Sequence, residues 1–155
     1  MTAIETDLLG ALYATGSAID AMRRRGGGAI VNIASISALR HGRKTPCGFA
    51  GYDVAKIGMI RMTTWLASLA RTDGIRVNCL APGPVDTPIH ATYTDDLEAT
   101  YADLARRVPL GRMGHVDDVA AWIWFLVAPE TAWTTGNVIH VDGGQVLGLP
   151  QSAGG

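Results

Sequence analysis

Two nearly continuous apolar runs set the frame of this chain. Ala29-Ile30-Val31-Asn32-Ile33-Ala34-Ser35 is rich in β-branched residues, and Ile75-Arg76-Val77-Asn78-Cys79-Leu80-Ala81 is almost as apolar. The first reads as a parallel strand covered on both faces, because a strand with one wet face would alternate apolar and polar residues. The second reads as the next strand, with Val77, Cys79 and Leu80 inside, and it runs into Pro82-Gly83-Pro84. Two prolines restrict the backbone of that turn, and the glycine between them allows close approach. Between the strands, Ala55, Met59, Met62, Leu66 and Leu69 recur at helical spacing, so residues 50–72 read as an amphipathic helix closed by Gly74. Ahead of them, Leu8, Leu9, Leu12, Ile19 and Met22 give residues 4–25 the same character. Gly26-Gly27-Gly28 ends that helix, since glycine takes the left-handed conformation at little cost.

The second half continues the alternation. Residues 88–112 are of mixed polarity and are expected to form two short helices. Residues 115–128 read as a helix with Asp117 and Asp118 in its favourable first turn. Val116, Val119, Ala120, Ile123 and Val127 are expected to face the core, with Trp122 and Trp124 flanking them. Asn137–Val141 is the last strand, closed by Asp142-Gly143-Gly144, and residues 150–155 form a tail. At 155 residues one domain is expected, placed at residues 1–149.

Composition removes several classes of function. A net charge of −1 gives no electrostatic case for nucleic acid or an anionic membrane. The longest apolar stretch, Ala120 to Ala128, is too short to span a bilayer. The first residues lack a basic-then-apolar signal peptide, and Cys47 and Cys79 lack metal-type spacing and need not pair. A reducing cytoplasm fits that cysteine usage best. His41, His90, His115 and His140 are scattered, with none at helical metal-ligand spacing, so no metal site is expected. His115 falls near a helix start and His140 in a strand, and both read as structural. Arg23-Arg24-Arg25 complements the C-terminal end of its helix before Gly26.

Chemistry concentrates in Tyr52-Asp53-Val54-Ala55-Lys56. Residues four apart lie one above the other on a helix face. An ammonium beside a phenol stabilises its ionised form and lowers a pKa that starts at about 10. Such a phenol can exchange a proton during turnover. Ser35 brings a hydroxyl to the carboxyl end of its strand, where open α/β sheets place ligands, and Ser37 is a nearby alternative. Tyr-x-x-x-Lys alone is a weak pattern, also met in helices with a half-exposed Tyr and a snorkelling Lys.

The pattern does not stand alone. Asn32-Ile33-Ala34-Ser35, Tyr52-x-x-x-Lys56, Arg76-Val77-Asn78-x-x-x-Pro82-Gly83-x-x-x-Thr87, Thr135-Gly136 and Val141-Asp142-Gly143-Gly144 follow in one order. This series resembles the short-chain dehydrogenase/reductase family, in its oxoacyl-carrier-protein-reductase-like subgroup, over about residues 3–148. The resemblance implies an α/β fold, the C-terminal half of a doubly wound Rossmann-type parallel sheet. The family's opening glycine-rich phosphate loop is not in this chain. The resemblance implies interconversion of a small-molecule carbonyl and a secondary alcohol by hydride transfer with NAD or NADP. It makes Ser35 the holder of the substrate oxygen, Tyr52 the acid/base and Lys56 its electrostatic partner and a ribose ligand. It places Pro82, Gly83, Val85 (by its backbone) and Thr87 (by its hydroxyl) against the nicotinamide. Asp7, in Asp7-Leu8-Leu9-Gly10, stands where the family has a relay asparagine. It reads equally as a first-turn carboxylate favoured by the helix dipole. Residues 88–112 match a mobile lid ending in Pro109-Leu110-Gly111-Arg112, and the long helices match a homo-oligomer interface, as dimer or tetramer. The alternative is a truncated, non-catalytic remnant or self-association module that binds no dinucleotide by itself.

Overall fold

The computed structural model describes residues 2–39 and 50–148. The loop between Leu39 and Ala50, with His41, Cys47 and Phe49, and the tail at 150–155 lie outside the described residues. Three parallel strands, β1 (Gly28–Ile33), β2 (Ile75–Pro82) and β3 (Val138–Val141), form a sheet in the order β1-β2-β3. Gly28 pairs with Ile75 and Ile33 with Leu80; Cys79 pairs with Val138 and Pro82 with Val141. Such parallel neighbours need crossover connections, and helices supply them.

Helix α1 (Gly10–Arg25) and helix α2 (Ala50–Leu69) pack with β1 and β2, burying Ile19, Met59, Met62, Leu66, Ala67, Ile75, Val77 and Cys79 together. A buried polar chain crosses this packing. Thr15 Oγ1 donates to Asn32 Oδ1 at 3.4 Å, Asn32 Nδ2 to Thr63 Oγ1 at 2.9 Å, and Thr63 Oγ1 to the Met59 carbonyl at 2.9 Å. Burying these groups is tolerable because each is paired, and the pairing ties α1, β1 and α2 in one register. Helices α3 (Leu97–Arg106) and α4 (Val116–Val127) follow, with α4 lying over β1 and β2.

Several boundaries differ from expectation for local reasons. The first helical segment opens as a π-helical turn over Ile4–Leu9 and becomes α-helical only at Gly10. It ends as expected: Gly26 takes φ 83°, and the Gly27 and Gly26 amides close on the Met22 and Arg23 carbonyls. The second helix stops at Leu69, and Arg71–Asp73 continue as a 3₁₀ turn ended by Gly74 at φ 67°. β1 stops at Ile33, so Ser35 follows the strand rather than ending it, although the Ala34 amide still donates to the Leu80 carbonyl. Of the two short helices expected over 88–112, the first is a 3₁₀ turn, Pro88–Thr92. Leu69 and Leu9, expected in apolar stripes, are half exposed.

The largest correction concerns α4. Only Leu126 of that helix is fully buried, whereas Val116, Ile123 and Val127 are exposed at 48%, 37% and 42%. Val116, Val119, Ala120 and Ile123 instead line an open cleft. The three-stranded sheet does not extend far enough to cover their whole face. His115 lies at the start of α4 as expected, and it also caps the helix: its side chain accepts from the Asp117 amide while the Asp118 carboxylate accepts from the His115 amide.

Candidate active site

The carboxyl ends of β1 and β2 open into one cleft of about 1580 Å³, closed on its flanks by the start of α2, the turn after β2 and α4. Asp7, Ser35, Tyr52, Lys56, Pro82, Gly83, Val85 and Thr87 all line it, as does Ser37. Residues separated by as many as 80 positions in the chain are thus brought to one sheet edge, where α/β sheets place ligand chemistry.

Each side chain is set by its element. Tyr52 and Lys56 share a face in the first turns of α2, and the Lys56 ammonium sits 5.4 Å from the centroid of the Tyr52 ring. Lys56 Nζ also donates to the Ile33 carbonyl at 3.2 Å, which pins the amine to the end of β1 and leaves its other N–H groups for a ligand. Ser35 Oγ accepts the Ser37 amide at 3.1 Å. Its own O–H therefore remains a donor. The Ser37 hydroxyl is buried and has no hydrogen-bond partner among the described residues. Asp7 sits within the π-helical turn, a feature often found at functional sites.

The turn after β2 is held from several sides. The Gly83 amide donates to the Val141 carbonyl at 3.0 Å, and a Cβ at Gly83 would lie 2.8 Å from the Cα of Asp142. Only glycine allows that approach. Gly114 bridges to Val85: the Gly114 amide donates to the Pro84 carbonyl at 2.9 Å, and the Asp86 amide donates to the Gly114 carbonyl at 2.9 Å. The Tyr101 hydroxyl reaches the Thr87 carbonyl at 3.4 Å, and its bond to the Asp86 carboxylate holds the phenol above its ordinary range.

The sequence alone did not single out His90, Tyr101 or Arg107. His90 and Arg107 line the cleft, and the His90 ring meets Tyr101 edge-on at 5.4 Å between centroids. Arg107 is ion-paired with Asp103 on α3. No periodicity or spacing marks these residues, because the 3₁₀ turn at Pro88–Thr92 is what folds His90 back onto the site. Cys79 is buried and unpaired, and burial pushes its thiol pKa up, so it is a packing residue. Among the described residues no cluster of His, Cys, Asp or Glu has the arrangement of a metal site. No helix of the described residues is long and apolar enough to cross a membrane.

Ser35, Tyr52 and Lys56 thus share one sheet-edge cleft with the turn at Pro82–Thr87. A family model described as enoyl-(acyl carrier protein) reductase matches residues 1–145. The chain belongs to the short-chain dehydrogenase/reductase family. It is 37% identical over 141 residues to a cis-4-hydroxycyclohexanecarboxylate dehydrogenase of Sinomonas cyclohexanicum, covering 91% of this chain and 54% of that enzyme. A solved short-chain type dehydrogenase/reductase from Mycobacterium ulcerans superposes with a TM-score of 0.83 at 34% identity, over 94% of this chain and 51% of that one. The structure described as ElxO with NADP bound superposes with a TM-score of 0.81 at 29% identity, over 91% of this chain and 55% of that one. The chain thus spans about half the length of the relatives it matches.

Proposed function

We propose that this chain carries the proton-transfer and nicotinamide-facing part of an oxidoreductase that interconverts a small-molecule carbonyl and a secondary alcohol with NAD or NADP. The observation that carries the reading is the convergence of Ser35, Tyr52, Lys56 and the turn at Pro82–Thr87 on one cleft. The residues present suit the nicotinamide end of a dinucleotide. The Val85 amide makes no hydrogen bond among the described residues, and Lys56, on the same cleft, donates there only to the Ile33 carbonyl. A relative with NADP bound supports the choice of cofactor class. When bound, the nicotinamide supplies the hydride.

The chain's own residues supply the rest. Ser35 donates its O–H to the substrate oxygen. Tyr52 gives that oxygen its proton in reduction and takes it back in oxidation. Lys56 stabilises the phenolate left behind, because an opposite charge close by favours the ionised form. Donors already aimed at developing charge cost no reorganisation during the reaction. Asp7 lines the same cleft at the position that matches the family's relay asparagine, and a carboxylate there would accept but not donate.

Tyr52→Phe tests the reading. Carbonyl-dependent oxidation of NAD(P)H should fall by about 100-fold or more, the usual range for a lost general acid. Turnover unchanged by this substitution would sink the assignment. A second reading, a self-association module that takes up no dinucleotide, draws on the exposed apolar residues Tyr13, Val54, Ile57 and Trp65 of α1 and α2. The same faces support a homo-oligomer under the first reading. Calorimetric titration with NADH and NADPH separates the two, since saturable binding rules out the second.

A further inference from the structure

We infer that His90 is a positioning residue of the dinucleotide site, holding the Val85 carbonyl so that the Thr87 hydroxyl is free to serve a ligand. This rests on the reading that the turn at Pro82–Thr87 meets the nicotinamide.

His90 Nε2 lies 2.9 Å from the Val85 carbonyl oxygen. A carbonyl only accepts, so Nε2 carries the proton in this contact. The Thr87 hydroxyl reaches the same oxygen, but at a marginal 3.5 Å. The two peptide units around Val85 are already pinned by Gly114, through the Pro84 carbonyl and the Asp86 amide. The His90 ring is itself held edge-on against Tyr101. The imidazole is therefore a fixed donor on a fixed peptide, and Thr87 is the mobile one.

The consequence follows from the cost of an unpaired acceptor. If Thr87 turns its O–H toward a carboxamide, the Val85 carbonyl keeps His90 and nothing is orphaned. Without His90, the same rotation leaves that carbonyl with no protein partner, and a lost hydrogen bond of this kind weakens binding roughly five- to tenfold. His90 thus contributes to affinity through Val85 and Thr87, without touching the ligand.

The test uses His90→Leu and His90→Gln, the amide of glutamine standing in for Nε2–H. Calorimetric titration of the chain with NADH and NADPH should show affinity falling roughly five- to tenfold in His90→Leu and recovering in His90→Gln. In a Thr87→Val background the His90→Leu penalty should all but vanish, because no rotating hydroxyl remains. An equal penalty in both backgrounds, or tighter binding by His90→Leu, overturns the proposal. Amide hydrogen exchange at Asp86, whose N–H belongs to the same peptide unit as the Val85 carbonyl and donates to Gly114, supplies a readout without cofactor. It should quicken in His90→Leu and return in His90→Gln, and unchanged exchange overturns the role of His90 even if no dinucleotide binds. Wild-type chain that binds neither dinucleotide overturns the reading of the site, and with it the contribution to affinity.

Discussion

At the scale of single residues, Asp118 shows how local geometry sets a charge. Its carboxylate accepts both arms of Arg112, at 2.7 and 3.1 Å, and the His115 amide at 2.7 Å. These contacts, Arg112 first, lower its pKa from 3.8 to about 2. A group whose folded pKa is depressed contributes stability above its unfolded pKa and loses it as pH falls through the folded one. Parent and Asp118→Asn should therefore differ in melting temperature above about pH 4, and the gap should close as pH falls to about 2. A constant gap across that window would show that the contact is not electrostatic. Residues of this scale differ in how far sequence reveals them. Tyr52 and Lys56 are legible because helical spacing alone puts them on one face, and Ser35 because it follows a strand. His90 is not, because its partner Val85 is reached through an irregular turn whose geometry no short pattern encodes.

At the scale of elements, nearly continuous apolar runs mark β1 and β2 and apolar period marks the long helices, but neither says how far each is covered. The stripe on α2 was legible up to Leu66 because two helices and the sheet meet there, and it failed at Leu69 where the helix runs past them. The apolar face of α4 is as regular, yet much of it is open, because burial depends on what lies opposite and not on spacing. What seats α4 is a side chain that periodicity ignores. Arg76, on β2, donates to the Leu126 carbonyl at 2.7 Å and to the Ala128 and Thr134 carbonyls at 3.3 Å each. The Leu126 and Ala128 carbonyls lie at the end of α4, where a cation suits the dipole, and the Thr134 carbonyl lies beyond the turn at Pro129–Thr131. Arg76→Met keeps most of the stem and removes the donors. It should cost about 1.5–3 kcal/mol in urea unfolding, with the slope unchanged, because hydrogen bonds to a charged group are lost, while Thr131 still donates to the Leu126 and Ala128 carbonyls and Asn78 to that of Thr134. A loss below the range for neutral surface changes would mean that water replaces the guanidinium.

At the scale of the whole molecule, the sheet has an edge that its own composition does not protect. β1 pairs with β2 on one side and with no other strand among the described residues. Ile33 is 37% exposed at its end, and the open face of α4 lies beside it. Exposed edges of this kind template association unless a charge, a proline or a covering element blocks them, and β1 has no lysine or proline of its own. Two modes of association are then distinct. The outer faces of α1 and α2, with Tyr13, Val54, Ile57 and Trp65 exposed, suit a closed pairing of two copies, whereas an open strand edge sets no limit on size. Ile33→Lys puts a charge at the edge while leaving untouched the backbone carbonyl that receives Lys56. In sedimentation velocity it should suppress large, concentration-dependent species and leave a dimer in place. Trp65→Glu should do the reverse, dissolving the dimer while the large species persist. If Ile33→Lys changes nothing and Trp65→Glu removes every associated species, the edge is already protected and the helices alone hold copies together.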